Sequence, residues 1–211
     1  MSAYSSMAKI SHTKKIVLIS ILSAVAFIIM LLQFPLPITP SFYKLDISDV
    51  IILIGGFILG PMSAVIMEAG KIILNILIHG SDTMFIGEIA NFIMGCSLIL
   101  PILLLYKKEA KMKNLLLASL IGIISLTIVG ALTNYFVLLP LYANVYQMPL
   151  DAMVEMGQVL NANVKDLFSF VIFMTIPFNL IKGALVTIVT LALYKRIIPI
   201  VHTKFNTRKS N

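Results

Sequence analysis

Apolar runs long enough to cross a bilayer recur along this chain, the first from Ile16 to Phe34. A spanning helix needs about 20 mainly apolar residues, because the hydrocarbon core offers no partner to an unpaired backbone group. Several segments reach or approach that length between short polar connections, so the chain folds within a membrane or hardly at all. Composition agrees: 59% hydrophobic and 12% charged residues, with a mean hydropathy of +1.01, lie outside the range of an ordinary soluble domain. The expectation is an all-α integral membrane protein, a single membrane-embedded domain over residues 1–211.

Lys14 and Lys15 precede the first run as they would in a secretory signal. The run is too long for the apolar region of such a signal and lacks a small-x-small cleavage site, so it reads as a retained helix. Apolar patterning places six transmembrane helices at roughly 13–33, 48–60, 62–79, 84–106, 113–142 and 168–198. Gly60 and Pro61 mark a tight turn between the second and third. "MPLDAMVEMGQVL" carries Pro149 and Asp151 as start signals, with Met153, Met156 and Leu160 at helical spacing, so a short interfacial helix or lid is expected there.

Basic residues orient a membrane protein because they are retained on the cytoplasmic side. Lys9, Lys14 and Lys15 precede helix one, Lys107, Lys108, Lys111 and Lys113 follow helix four, and Lys195, Arg196, Lys204, Arg208 and Lys209 close the chain, with Glu109 the acid nearby. Both the N and C termini are therefore expected to be cytoplasmic. The opposite face carries Asp46, Asp49, Asp82, Asp151, Glu155 and Asp166, with Lys44 and Lys165. The net charge of +7 is read as this topology signal, with no nucleic acid as partner.

Cys96 stands alone, which excludes an intrachain disulfide and a multi-thiolate zinc site. No phosphate-cradling G-x-x-x-x-G-K-[ST] occurs, no H-E-x-x-H and no G-x-S-x-G, and the histidines at 12, 79 and 202 are scattered. Neither a catalytic role nor a resident metal or cofactor is expected. A pocket protein with no engine must draw on a gradient or on a partner that has one.

Charge inside a span costs on the order of 3 kcal/mol, so each such residue calls for a reason. Glu68 and Lys71, three apart, could neutralise each other; Glu88, near the outer end of helix four, could reach the interface. Lys182 has no carboxylate within a turn of it, and its same-face neighbour is Asn179. Asn91 and Asn134 also lie in apolar surroundings. An amide with two donors and an acceptor suits a heterocycle edge that alternates C=O and N–H, although each asparagine could equally join two helices. Tyr135, Phe178, Phe42 and Tyr43 flank these positions as stacking surface or interface belt. "PLPITPSFYKLDIS" has prolines at 35, 37 and 40 and should form a semi-rigid loop able to fold over the bundle. On helix one, Ser20 and Ala24 form a small-xxx-small pair that could admit a partner helix.

The segments "FYKLDISDV" (42–50), "ANFIMG" (90–95), "TNYF" (133–136) and "FNLIKG" (178–183) resemble the substrate-binding S components of energy-coupling factor transporters, and among them the riboflavin-specific group. The resemblance spans nearly the whole chain. It implies a vitamin held near the outer surface of the cell membrane under the first outer loop, its ring edge met by Asn134, Asn179 and Lys182. The substrate-binding set so implied comprises Phe42, Tyr43, Leu45, Asp46, Asn91, Asn134, Asn179 and Lys182. It further implies that helix one, through Ser20 and Ala24, packs on a transmembrane scaffold subunit driven by two cytosolic ATPases; serine replaces the alanine usual at the first position. The alternatives left open are another vitamin, or a proton-coupled carrier or intramembrane enzyme built on Glu68, Lys71 and Glu88.

Overall fold

The computed structural model describes residues 11–81, 83–105 and 112–206, with side chains left aside at 195 and 197–206. Of the orientation signals, Lys9, Lys107, Lys108, Glu109, Lys111, Arg208 and Lys209 lie outside the described residues, as do Asp82 and the side chains of Lys195 and Lys204. The long helices are α1 (His12–Met30), α2 (Asp49–Leu59), α3 (Pro61–Ile78), α4 (Ile86–Leu105), α5 (Met112–Thr133) and α9 (Ile176–Asn206). A π-helical turn, Asn134–Leu138, joins α5 to α6 (Leu139–Val145), and a second, Val171–Thr175, joins α8 (Leu167–Phe170) to α9. The segment expected to form a short helix does so as α7 (Leu150–Leu160).

Among the described residues, five helical segments are long and apolar enough to cross a membrane: His12–Met30, Pro61–Ile78, Ile86–Leu105, Met112–Val145 and Leu167–Tyr194. The sixth expected span falls short of that length. At 11 residues, α2 rises about 16 Å at 1.5 Å per residue, roughly half the hydrocarbon thickness. It compensates by being enclosed, with Val50, Ile52, Leu53, Ile54 and Phe57 all buried by protein. Gly60 at φ 96° makes the reversal that only glycine adopts freely, and Pro61 begins α3 where no backbone donor is needed.

One apolar core of Ala26, Leu53, Met67, Leu98, Leu103, Leu126 and Val186 holds α1 to α5 and α9 together. Large apolar side chains also coat the outside, among them Ile28, Leu77, Leu104, Ile128 and Phe136. Apolar faces both within and without are what a bundle solvated by lipid requires. A smaller core of Leu139, Met153, Val154, Phe170 and Met174 seats α7 against the second π turn.

The first outer loop is not wholly irregular. β1 (Phe34–Pro35) pairs antiparallel with β2 (Lys44–Leu45), Phe34 opposite Leu45 and Pro35 opposite Lys44. This two-stranded clasp was not anticipated from the proline-rich pattern; Pro35 is tolerated because the ribbon has open edges. Closing the loop at its base aims Phe42 and Tyr43 back at the bundle.

Candidate binding site

Tyr43 is the loop's anchor. Its hydroxyl lies 2.8 Å from Asn134 Oδ1, to which it donates, and 2.7 Å from Thr175 Oγ1. Its ring stacks on Phe178 at 5.1 Å between centroids, while Phe42 approaches Tyr43 at 4.9 Å and Phe170 at 6.4 Å. Burial pushes the Tyr43 hydroxyl's pKa above its ordinary value, so the group stays neutral and available as a donor.

Beneath this loop lies a cavity of about 440 Å³. Asn134, Asn179 and Lys182 line one part of it, from α5's π turn and from α9. Asn75 of α3, His79 just past its end, and Glu88 and Asn91 of α4 add polar lining, and Phe42, Tyr43, Tyr142, Tyr146 and Phe178 add aromatic surface. Methionines 30, 94, 148, 153 and 156 fill out the walls with adaptable apolar contact. Predominantly apolar walls with a few placed polar groups are what a small-molecule pocket needs.

The asparagines differ in what they can still offer. Asn134 donates from Nδ2 to the Gly130 carbonyl at 2.8 Å and accepts from Tyr43, so both ends of its amide are engaged. Asn179 donates to the Thr175 carbonyl at 3.0 Å, which aims its oxygen away from its own helix. Asn91 Oδ1 is buried without a hydrogen-bond partner. Asn134 opens the first π turn and Asn179 follows the second by one helical turn, and the extra residue such a turn inserts re-aims side chains on a helix.

Lys182 is buried, and the carboxylate it meets is Asp49 Oδ2, at 3.5 Å. The sequence gives no sign of that partner, because Asp49 lies on α2, far away in the chain. Asp49 belongs to a buried cluster centred on Lys71, whose Nζ lies 2.8 Å from Asp49 Oδ1, 2.7 Å from Glu68 Oε1 and 3.7 Å from Asp46 Oδ2. The expected neutralisation of Glu68 by Lys71 is present, within a larger network than spacing alone suggested.

Leu45 and Asp46, expected in the site, do not line the cavity. Leu45 is buried in the clasp, and Asp46 accepts from the Ser48 backbone amide and hydroxyl, each at 2.7 Å. They hold the loop's return into α2. Tyr135 also points elsewhere, toward Phe136 and Phe168. Glu88 does not extend to the interface; buried, it accepts at Oε2 from Ser81 Oγ at 2.9 Å and from Thr83 Oγ1 at 2.8 Å. Met84 and Phe85 in that turn take left-handed backbone, φ 48° and 68°, conformations held by the surrounding hydrogen bonds. Ser20 is exposed and Ala24 half-buried on α1, with Ser20 Oγ donating to the Ile16 carbonyl at 3.1 Å. Among the described residues no cluster of metal-ligating side chains occurs.

Sequence reasoning missed Asn75, His79, the methionines and the Tyr142–Tyr146 pair. An asparagine at 75 within an apolar helix was a usable signal; nothing in local spacing marked the others.

An apolar helical bundle with a roofed, polar-edged cavity defines a membrane protein that holds a small molecule. The family model for the ECF transporter, substrate-specific component, matches residues 14–194. The chain is 36% identical over 186 residues to a riboflavin transporter, RibU, of Staphylococcus aureus (strain TCH60), covering 88% of this chain and 91% of that one. It is 36% identical over 187 residues to a riboflavin transporter, FmnP, of Bacillus subtilis (strain 168), covering 88% and 93%. A solved structure of the S component of a bacterial ECF transporter is similar to it with a TM-score of 0.71 and 34% identity, covering 90% of this chain and 99% of that chain. The chain belongs to the family of substrate-specific components of ECF transporters. It is a multi-pass membrane protein of a transport system and not an enzyme.

Proposed function

We propose that this chain captures riboflavin from outside the cell and delivers it inward when coupled to a transmembrane scaffold subunit and two cytosolic ATPases. It sits in the cell membrane with α2 as a short sixth crossing and both termini in the cytoplasm. One observation carries the reading: Asn179 and Lys182, one helical turn apart, share a cavity of about 440 Å³ with Asn134 and several aromatic rings. A flavin ring edge alternates C=O and N–H. Lys182 can donate to a ring carbonyl, and the Asn179 oxygen can accept from the ring N–H between two carbonyls. Phe42, Tyr43 and Phe178 supply stacking surface for the ring, and Asn91 offers an unengaged acceptor to the polyol chain. The names of the similar proteins from Staphylococcus aureus and Bacillus subtilis support the same ligand.

Helix α1, with Ser20 and Ala24 on an otherwise apolar outer face beside Val17, Ile21 and Ile28, is the surface proposed for the scaffold subunit. Riboflavin is transported ligand here, not cofactor. The visible absorption of detergent-purified protein, expressed in riboflavin-containing medium, tests the reading. One flavin per chain, released on unfolding, is expected. A colourless protein that also fails to quench added riboflavin would sink it and turn attention to another vitamin.

A further inference from the structure

We propose that Asp49 is a positioning residue for ligand capture. It stands behind the cavity wall and acts through Lys182, fixing the ammonium where it meets a ring carbonyl; the role rests on the flavin reading above and deepens it.

Asp49 opens α2 at the return of the outer loop, is fully buried, and is missing from the cavity lining. Its two oxygens face two different ammonium groups. Oδ1 accepts from Lys71 Nζ at 2.8 Å, and Lys71 is gripped in turn by Glu68 at 2.7 Å and Asp46 at 3.7 Å. Oδ2 makes no hydrogen bond that would hold it elsewhere, and Lys182 Nζ stands 3.5 Å from it. A carboxylate shut away from water is tolerated only against opposite charge, and the N-terminus of α2 adds favourable field at this position. Lys71 and α2 therefore fix Asp49, and Asp49 restrains Lys182.

The distance matters. A direct charge-assisted bond of this type runs about 2.7–2.9 Å, so at 3.5 Å the ammonium is attracted without being captured. An ammonium has three donors, and Asp49 can occupy one at most, leaving the others for the cavity. A flexible four-carbon stem restrained from behind loses less freedom when a ligand arrives, which is how supporting residues tighten a site they do not line. The competing role is structural: Asp49 could serve only to offset Lys71 and hold α2 on α3.

Riboflavin fluorescence quenching by the purified full chain separates the two roles in four proteins: wild type, Asp49→Asn, Lys182→Met and the double variant. We expect Asp49→Asn to weaken binding about tenfold, Lys182→Met to weaken it at least as much, and Asp49→Asn to change affinity less than about twofold once Lys182 is gone. At saturating riboflavin, the visible band of the Asp49→Asn complex should also move toward the position seen with Lys182→Met. Wild-type affinity in Asp49→Asn, an equal loss with and without Lys182, or an unmoved band would each overturn the proposal. If Asp49→Asn is not recovered folded, Asp49→Glu carries the test, since it keeps the charge and displaces it by a methylene. A severalfold loss that vanishes in the Lys182→Met background is expected, and the same loss in both backgrounds overturns it. Wild type that does not quench riboflavin at all refutes the flavin reading and this role with it, a result distinct from any pattern among the variants.

Discussion

The Tyr43 hydroxyl donates to Asn134 Oδ1 at 2.8 Å, and with its proton so committed it accepts from Thr175 Oγ1 at 2.7 Å. One phenol thus ties the outer loop to both π turns, at Asn134 and at Thr175. Tyr43→Phe keeps the stacking on Phe178 and removes the tie, leaving a buried amide oxygen and a buried hydroxyl short of a partner. Such groups cost about 1–3 kcal/mol each to leave unsatisfied. Riboflavin release, followed by stopped-flow fluorescence, should accelerate as the loop opens more readily. An unchanged release rate would show that the loop is held by its clasp and rings alone.

The same hydroxyl sets a pH expectation. Its pKa is raised in the folded protein, so the contribution it makes is fully present below the ordinary phenol value of about 10 and is lost only as pH rises through the higher folded value. The difference in affinity between wild type and Tyr43→Phe should therefore be the same at about pH 6 and about pH 9. A difference that shrinks across that range would mean that another group controls the loop.

Asn179 and Lys182 are the pair most exposed to test. Replacing either by alanine should weaken riboflavin binding by about 1–3 kcal/mol, because each leaves a ligand group facing a buried site without its partner. Isothermal titration in detergent would read this, and wild-type affinity in both variants would move the ligand elsewhere in the cavity.

What is legible in the sequence follows from which interactions are local. Helix positions, the Gly60–Pro61 reversal and α7 rest on short-range periodicity and breakers, and they were legible. Asn179 and Lys182 share a face by helical spacing, and Asn91 and Asn134 stand out as amides in apolar surroundings, so four polar groups of the cavity are legible beforehand. The ion pair of Lys182 with Asp49 joins α9 to α2 and leaves no trace in spacing. Asp49 itself was read as one more acid of the outer face, since an aspartate preceding "VIILIGGFIL" looks like an ordinary helix start. Leu45 and Asp46 enter the expected site through the resemblance carried by "FYKLDISDV". Leu45 is instead buried at the end of the β1–β2 clasp, and Asp46 just beyond it turns back to the Ser48 amide and hydroxyl, contacts made across the loop that spacing along the chain does not show.

Gly130 offers a way to disturb the site without touching its polar groups. A Cβ there would collide with the Asn179 amide, reaching within 2.9 Å of Cγ, and the Gly130 carbonyl also accepts from Asn134. Gly130→Ala keeps the carbonyl that accepts from Asn134 and adds one methyl to a helix, where alanine is the better helix former by about 1 kcal/mol, which offsets the strain put on the bond from Asn179 to the Thr175 carbonyl. Thermal stability should hold or rise while riboflavin affinity falls about tenfold as Asn179 is displaced. Loss of stability in parallel with affinity would show that the Asn179 rotamer supports the bundle and not the ligand.

Glu88 separates the flavin-capture reading from a proton-coupled carrier. Ser81 and Thr83 hydroxyls converge on one oxygen, Oε2, at 2.9 and 2.8 Å. A glutamine that presents its carbonyl oxygen at that point can accept both bonds, whereas alanine strands two hydroxyls beside a left-handed turn at Met84 and Phe85. Glu88→Gln should therefore melt near wild type, and Glu88→Ala should be destabilised by about 1–3 kcal/mol. A carrier that moves its proton on Glu88 would instead be disabled by glutamine, which cannot titrate. Riboflavin uptake by cells making Glu88→Gln should persist, depend on ATP and survive collapse of the proton gradient. Uptake abolished in Glu88→Gln with folding and riboflavin binding both intact, or wild-type uptake that stops with the gradient while ATP is maintained, would transfer the energy source from partner subunits to this chain.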